Sequence, residues 1–185
     1  RKLLLSNEPQ ATNGKPQAAA VVGRLLDDRD LKIVLEAARV VHDVDVQSQM
    51  AKLAGLAERI DEFVSSDALI RRVVSANVRA GAAGNAKTLV AIARNEGLAE
   101  ARRIEAIEAL GDWAAPPERD LVLHDWRPLD PSQRNVLDAK NALEPEFVHF
   151  ASGVGGVTSA AITAAGNLKL SSIGKALEEV TLNPK

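Results

Sequence analysis

The sequence predicts an all-α fold, an α-solenoid of about four irregular helical hairpins, and three observations predict it. Apolar residues make up 46% of the 185 residues but aromatic residues only 3%, with no Tyr. Ala, Leu and Val must therefore supply the burial, which suits closely approaching helices better than a sheet built from β-branched and aromatic side chains. A two-helix pattern, clearest across residues 35–59 (LEAARVVHDVDVQSQMAKLAGLAER), recurs at 71–96, in part at 102–114, and at 159–180. Aligning the units on a small central residue pairs Ala38, Ala76, Ala106 and Ala161, at intervals of 38, 30 and 55 residues. Equal intervals would mark tetratricopeptide or ankyrin arrays, whereas unequal ones fit a divergent HEAT-like, armadillo-type array whose units stabilise one another.

Residues 1–16 contain Pro, Gly, Asn and Ser and read as a flexible connection; Leu3, Leu4 and Leu5 read as the last turn of an earlier repeat. The remainder, 17–185, reads as one repeat domain with units at about 17–64, 65–97, 98–152 and 153–185. A helix fits Gln17 to Leu26, and Asp28 or Asp30 caps the next one, since acids disfavour a helix C-terminus. From Leu31, apolar residues at 31, 34, 35, 38 and 41 form one stripe, and Ile33, Ala37 and Val40 form a second beside it. A helix apolar on two sides needs cover from two neighbours. His42 to Asp45 makes the turn into a second helix, with Met50, Leu53, Ala54, Ala57 and Ile60 on its inner side.

Ser65, Ser66 and Asp67 are N-cap types that open the next unit. Ile70, Val73, Val74 and Ala80 carry its inner face, Gly81 to Gly84 its turn, and Leu89, Val90 and Ala93 its second inner face, with Gly97 as a C-terminal Gly. The third unit starts near Ala99, with Ala106, Ile107, Leu110 and Trp113 at helical spacing. Pro116, Pro117, Pro128 and Pro131 then break the rhythm, so the insertion at 115–131 cannot be one continuous helix. Asp130-Pro131-Ser132-Gln133 has the signature of a helix start. Val136, Ala139, Leu143, Phe147 and Phe150 share a face interrupted at Pro145. After Gly153, Gly155 and Gly156 the last hairpin uses Val157, Ala161, Ala164, Ile173, Leu177 and Val180, with Ser171 capping its final helix.

A formal net charge of −2 gives no global nucleic-acid footprint. The absence of Cys removes disulfides, thiolate catalysis, Cys-ligated zinc and covalently attached haem. No apolar run approaches the ~18 residues of a membrane span, and RKLLLSNEP is too short for a signal peptide. With Arg1 at its start, the chain reads as a piece of something longer. His42, His124 and His149 lack the spacing of a zinc site and read as ordinary turn or surface histidines. Ser75, Ser152 and Ser159 have no GxSxG elbow around them, GVGGV at 153–157 lacks the strand and Lys of a phosphate loop, and Glu178-Glu179 read as a solvated face. No catalytic, cofactor-binding or metal-binding residue is therefore expected. Asn77 falls on an inner stripe and is expected to tie a neighbouring hairpin, because an unpartnered buried amide costs about 1–3 kcal/mol; Arg72 and Arg103 are expected in similar roles between repeats. The insertion offers two readings. Trp126 with Arg119, Asp125 and Arg127 forms a partner-binding surface, since Trp and Arg are common interface anchors. Alternatively, Trp113 and Trp126 plug a gap between units while Arg119 and Arg127 pair with Asp120 and Asp125.

LEAARVVHDVDV, LIRRVVSANVRAGAAGNAKTLVAIA and RRIEAIEALGDWAAPPERDLVLHDWRPL, in that order, resemble the HEAT-repeat segment of large exported bacterial proteins. Those proteins resemble sugar dehydrogenases of the pyrroloquinoline-quinone or sorbosone type, and many end in a haem-c-binding domain. The resemblance covers roughly residues 20–145 and is most specific from Ala109 through Trp113 and Arg119 to Trp126-Arg127-Pro128-Leu129. It implies an exported, periplasmic or secreted, multidomain parent whose chemistry lies on other domains, and it transfers no catalytic residue or cofactor here. The expected role is a non-catalytic interaction or spacer module that meets a protein partner or flanking domains of its own chain, without nucleic acid or membrane insertion. The alternative is an accessory domain of a sugar dehydrogenase or electron-transfer enzyme.

Overall fold

The computed structural model describes residues 14–171, 173, 174 and 178. Leu177, Val180 and residues 1–13 lie outside them. The fold is all-α: among the described residues the only β pairing is an isolated antiparallel bridge between Arg119 and Trp126.

The first helix, α1 (Gly14–Leu25), starts three residues earlier than its apolar pattern indicates. Pro16 is tolerated because the first turn of a helix needs no N–H donor there. Asp30 caps α2 (Leu31–Asp43) by accepting the Lys32 N–H at 2.9 Å. The inner stripe of α2 is buried through Val34, Ala38 and Val41, but its second stripe is only partly covered, with Ala37 buried and Ile33 and Val40 exposed.

After the turn, α3 (Gln47–Gly55) gives way to a 3-10 segment, Leu56–Phe63, with a kink at Arg59. The continuous second helix expected through Ile60 is thus broken, although Ile60 still reaches the core. Ser66 occupies the N-cap position of α4 (Asp67–Ala80), but its side chain makes no capping bond. The helix ends at Gly81, whose φ of 65° is the left-handed conformation a C-terminal Gly supplies. Ile70, Val73 and Val74 are buried as expected, whereas Ala80 is exposed. The turn is shorter than 81–84 because α5 (Ala83–Arg94) already contains Gly84. Gly97 has an ordinary φ; Asn95 ends α5, and its side chain accepts the Gly97 N–H at 2.9 Å.

Helix α6 (Glu100–Gly111) follows Ala99, and Ala106, Ile107, Leu110 and Trp113 are all buried. No α-helix forms from 112 to 135. Asp130 caps only a 3-10 turn, Pro131–Gln133, and the next helix, α7 (Val136–Leu143), is capped instead by Asn135, which accepts the Leu137 N–H. The break at Pro145 is a 3-10 turn, Glu144–Glu146, leading into α8 (Phe147–Ala151). The final complete helix is α9 (Gly156–Leu168). Ser171 donates its hydroxyl to Glu144 at 2.9 Å.

The helices contact one another in an overlapping order. Helix α2 packs on α3 and α4, α4 on α3, α5 and α6, and α6 on α5 and α9. Helix α7 crosses to α5 rather than pairing closely with α6, so the third unit is not a simple hairpin. Ala38, Ala76, Ala106 and Ala161, the residues that align the units, are all fully buried. One apolar cluster runs from Leu26 to Leu170, with Phe63, Trp113 and Phe147 its largest fully buried side chains.

A close helix approach joins α6 to α9, where a Cβ on Gly111 would lie 2.9 Å from Ala164 Cα and 3.0 Å from its Cβ. Gly111→Val is therefore expected to lower stability by about 1–3 kcal/mol through overpacking, read as a shift in the urea midpoint. Gly166, on α9, is the control, since a Cβ added there would meet nothing within 4 Å. Gly166→Ala is expected to be neutral or to stabilise by up to about 1 kcal/mol, and equal losses in both variants would contradict the close contact.

Candidate functional site

The densest polar constellation lies where α2, α4 and the insertion meet. The last turn of α2 supplies His42 and Asp43, and the turn beyond it supplies Asp45 at φ 62°. Helix α4 supplies Arg72, Ser75 and Arg79, which share a face by their spacing of three and four residues. The insertion supplies Asp120 and Arg127. His42, Arg72, Ser75 and Asp120 are buried.

Asp43 accepts two hydrogen bonds from Arg72, at 3.1 Å from Nε and 2.7 Å from Nη2, while Arg72 Nη1 donates to the Ala68 carbonyl at 2.9 Å. His42 Nδ1 lies 2.9 Å from Asp43 Oδ1, and its Nε2 lies 2.8 Å from Ser75 Oγ and 3.4 Å from Asp120 Oδ2. Because a carboxylate only accepts, the Asp43 contact assigns the proton of a neutral imidazole to Nδ1, and the Ser75 hydroxyl then donates to Nε2.

Asp120 is the hub of the insertion. Its Oδ1 accepts the backbone N–H groups of Val122 and Leu123 at 2.8 and 2.9 Å, which shapes the loop from inside. Its Oδ2 faces Arg127 Nη1 at 3.3 Å and Arg79 Nη1 at 3.5 Å. Arg127 also donates from Nη1 to the His42 carbonyl at 3.1 Å, and its Nη2 stands 2.7 Å from Asp45 Oδ1. That last contact is an ion pair without hydrogen-bond alignment. Three guanidinium groups, Arg72, Arg79 and Arg127, thus balance the carboxylates of Asp43, Asp45 and Asp120.

Burial pushes the His42 imidazole below its ordinary value, outweighing the Asp43 hydrogen bond and the Asp120 charge that act upward. For Asp43 burial acts upward, but the hydrogen bonds from Arg72 and His42 prevail and hold the carboxyl below its usual range. Asp45 is also held low, because Gln47, Arg79 and Arg127 together outweigh its burial.

Ser75, His42 and Asp43 have the spacing of a nucleophile, a base and the group that orients it. Their surroundings do not match that chemistry. The void beside Ser75 has a volume of about 10 Å³ and is lined by Pro116, Pro117, Leu121 and Leu129 of the insertion. Ser75 lies in the interior of α4, where backbone N–H groups are committed to the helix and no oxyanion hole forms. Asp120 places a second carboxylate beside the imidazole, 3.4 Å from Nε2.

The residues expected between repeats are placed as follows. Asn77, fully buried, donates to the carbonyls of Ala54 at 3.1 Å and Val73 at 2.9 Å and accepts from Asn85 at 2.9 Å, so it joins α3 to α4 and α5. Arg72 bridges α4 to α2, and Arg103 Nε donates from α6 to the Ala93 carbonyl of α5 at 2.8 Å. Trp113 is a fully buried plug with the Arg134 guanidinium 5.0 Å from its ring centroid. Trp126 is not: it is 61% exposed. Of the other insertion residues, Arg119 donates to the His124 carbonyl at 2.8 Å, Asp125 is exposed, and Arg127 turns inward to Asp120 and Asp45 rather than to Asp125.

His42 corrects a sequence expectation, since it is a buried junction residue rather than an ordinary turn or surface histidine. No local pattern marked it: Arg72, Ser75 and Arg79 share a face of α4, but only the fold brings that face to the acid-rich HDVD turn. Among the described residues, no group of three or more His, Asp or Glu is arranged to hold a metal ion, and no helix is long and apolar enough to cross a membrane. Comparison with family models, curated proteins and solved structures found no match.

A lowered histidine pKa in the folded state means that the unfolded chain takes up the proton first. The stability contributed by neutral His42 is therefore full above the ordinary value of about 6.5 and is lost as pH falls from there toward the folded value. The melting temperature is expected to fall between pH 7.5 and 5.5, and His42→Gln to flatten that slope. Parallel profiles for the two proteins would contradict the assignment.

Proposed function

We propose that this chain is a non-catalytic module, an irregular α-solenoid of HEAT-like hairpins that holds a protein partner or flanking domains in fixed positions. The observation that carries the reading is the fate of its most reactive-looking side chains: Ser75 and His42 are buried beside the insertion, Asp43 is half-buried, and their hydrogen bonds join α2 to α4. The succession of contacts from α2 to α4, α4 to α6 and α6 to α9 supports an array in which each unit covers the apolar side of the one before.

Two surfaces support a role in contact. Leu25, Ile33 and Val40 are exposed on α1 and α2, where they border an apolar groove of about 320 Å³, and Val21 is exposed on α1. A neighbouring domain of the same chain would cover that face as one repeat covers the next. Trp126 stands out from a loop fixed by the Asp120 N–H bond to the Asp125 carbonyl at 2.9 Å and the Arg127 N–H bond to the Glu118 carbonyl at 3.0 Å. A large aromatic side chain held on a pre-shaped loop is an effective anchor for a partner, because little freedom is lost on contact. The resemblance to exported dehydrogenase-like proteins supports a multidomain, exported parent in which oxidoreductase chemistry belongs to other domains.

Fluorophosphonate labelling tests the non-catalytic reading directly. The intact chain is expected to give no adduct at Ser75 by mass spectrometry, and Ser75→Ala to hydrolyse p-nitrophenyl acetate at the wild-type background rate. Stoichiometric labelling of Ser75, or hydrolysis abolished by Ser75→Ala, would overturn it.

A further inference from the structure

Deepening the interaction-module reading, on which this rests, we propose that the groove between α3 and α5 binds a short extended peptide segment carrying a Lys or Arg side chain. The groove has a volume of about 420 Å³, within the range of pre-formed ligand sites. Its floor and one wall are small and apolar, through Ala51, Ala54, Ala57 and Ile92. Gly55 keeps the mouth wide, since a Cβ there would meet nothing within 4 Å.

The other wall is a row of neutral hydrogen-bonding groups, Asn85, Thr88 and Asn95, along α5 and just past its end. Their internal bonds leave a defined remainder. Asn85 gives one N–H to Asn77 and accepts the Ala82 N–H at 3.2 Å. Asn95 gives one N–H to Asp61 at 2.7 Å and accepts the Gly97 N–H. Each carboxamide therefore keeps one donor and one acceptor position, the pair that a peptide unit presents in reverse. Ten residues of helix span about 15 Å, which an extended chain covers in about four to five residues at ~3.3 Å each. Alternate side chains of such a segment point toward the alanine floor.

The charge selects among occupants. Among the described residues, Glu58 is the only ionisable one lining the groove, and it pairs with none of the others. No cation among them lines the groove to receive a phosphate or carboxylate, and no aromatic ring lines it for a sugar or base to stack on. A chain of amides with one basic side chain directed at Glu58 satisfies both the neutral wall and the single carboxylate.

The test is a titration of the ¹⁵N-labelled intact chain with the capped peptide Ac-Ala-Ala-Lys-Ala-Ala-NH₂, followed by amide shifts. Shifts confined to Ala54, Glu58, Asn85, Thr88 and Asn95 are expected, with binding about two- to fivefold weaker for the norleucine analogue and for Glu58→Gln, the range of one exposed ion pair. Glu58 is exposed, so its variant leaves the fold intact. Absence of shifts at millimolar peptide, shifts outside the groove, equal binding by the norleucine peptide, or equal binding by butylamine alone would each overturn the proposal. None of these outcomes bears on the reactivity of Ser75, so failure here is distinguishable from failure of the non-catalytic reading.

Discussion

Charges taken out of water must be paired, and the pairing of Asp120 decides how the first half of this protein is joined. Asp120 sits on an irregular insertion, yet its carboxylate is buried against Arg79 of α4, Arg127 of its own loop and His42 at the end of α2. A lone buried carboxylate costs several kcal/mol. The geometry that offsets this cost exists only when α2, α4 and the insertion hold their present relation. Apolar packing alone would tolerate small slips of one helix along another, because it is non-directional. The cluster supplies the direction. Whether it adds net stability over an apolar substitute is a separate matter, since buried ion pairs often do not.

The same cluster encloses Ser75, which is buried. A serine hydrogen-bonded to a histidine that is itself held by an aspartate has the bonding of a nucleophile, but reactivity requires access and a place for negative charge to develop. Here Ser75 is buried beside the insertion, and Asp120 stands 3.4 Å from the imidazole nitrogen that the serine contacts. The hydrogen bonds run from Ser75 through His42 to Asp43 and join α4 to α2. Exposed apolar residues and open grooves lie elsewhere, on the outer face of α1 and α2, at Trp126, and between α3 and α5.

The helices were legible in the sequence because each buried face repeats with helical spacing. Ala38, Ala76, Ala106 and Ala161 align the units and are all fully buried, and the inner positions named for α5 and α6 are buried; on α4 burial extends from Arg72 through Val78 without a break, while Ala80 is exposed. Helix ends were less legible. Asp130-Pro131 carries a helix-start signature but forms only a 3-10 turn, because Arg134 becomes extended and turns inward to the α4 terminus, where it donates to the Val78 carbonyl. Asn77, Arg72 and Arg103 were recognisable as ties between units, since a polar residue on an apolar stripe must find a partner nearby. The role of His42 was not recognisable. Its partners come from positions 33 and 78 residues away, and no local pattern specifies that Ser75 and Asp120 converge on one ring. Trp113 and Trp126 likewise look alike in sequence, and only the course of the insertion puts one in the core and the other in solvent.

Asp120 and Arg127 act together as the joint between the insertion and the helices. A double-mutant cycle on the intact chain, using Asp120→Asn and Arg127→Met and urea unfolding, measures their coupling directly. Each single substitution should be strongly destabilising, and the double variant should lose less than their sum, leaving a coupling energy of about 1–3 kcal/mol. Losses that add to within about 0.3 kcal/mol would contradict the account.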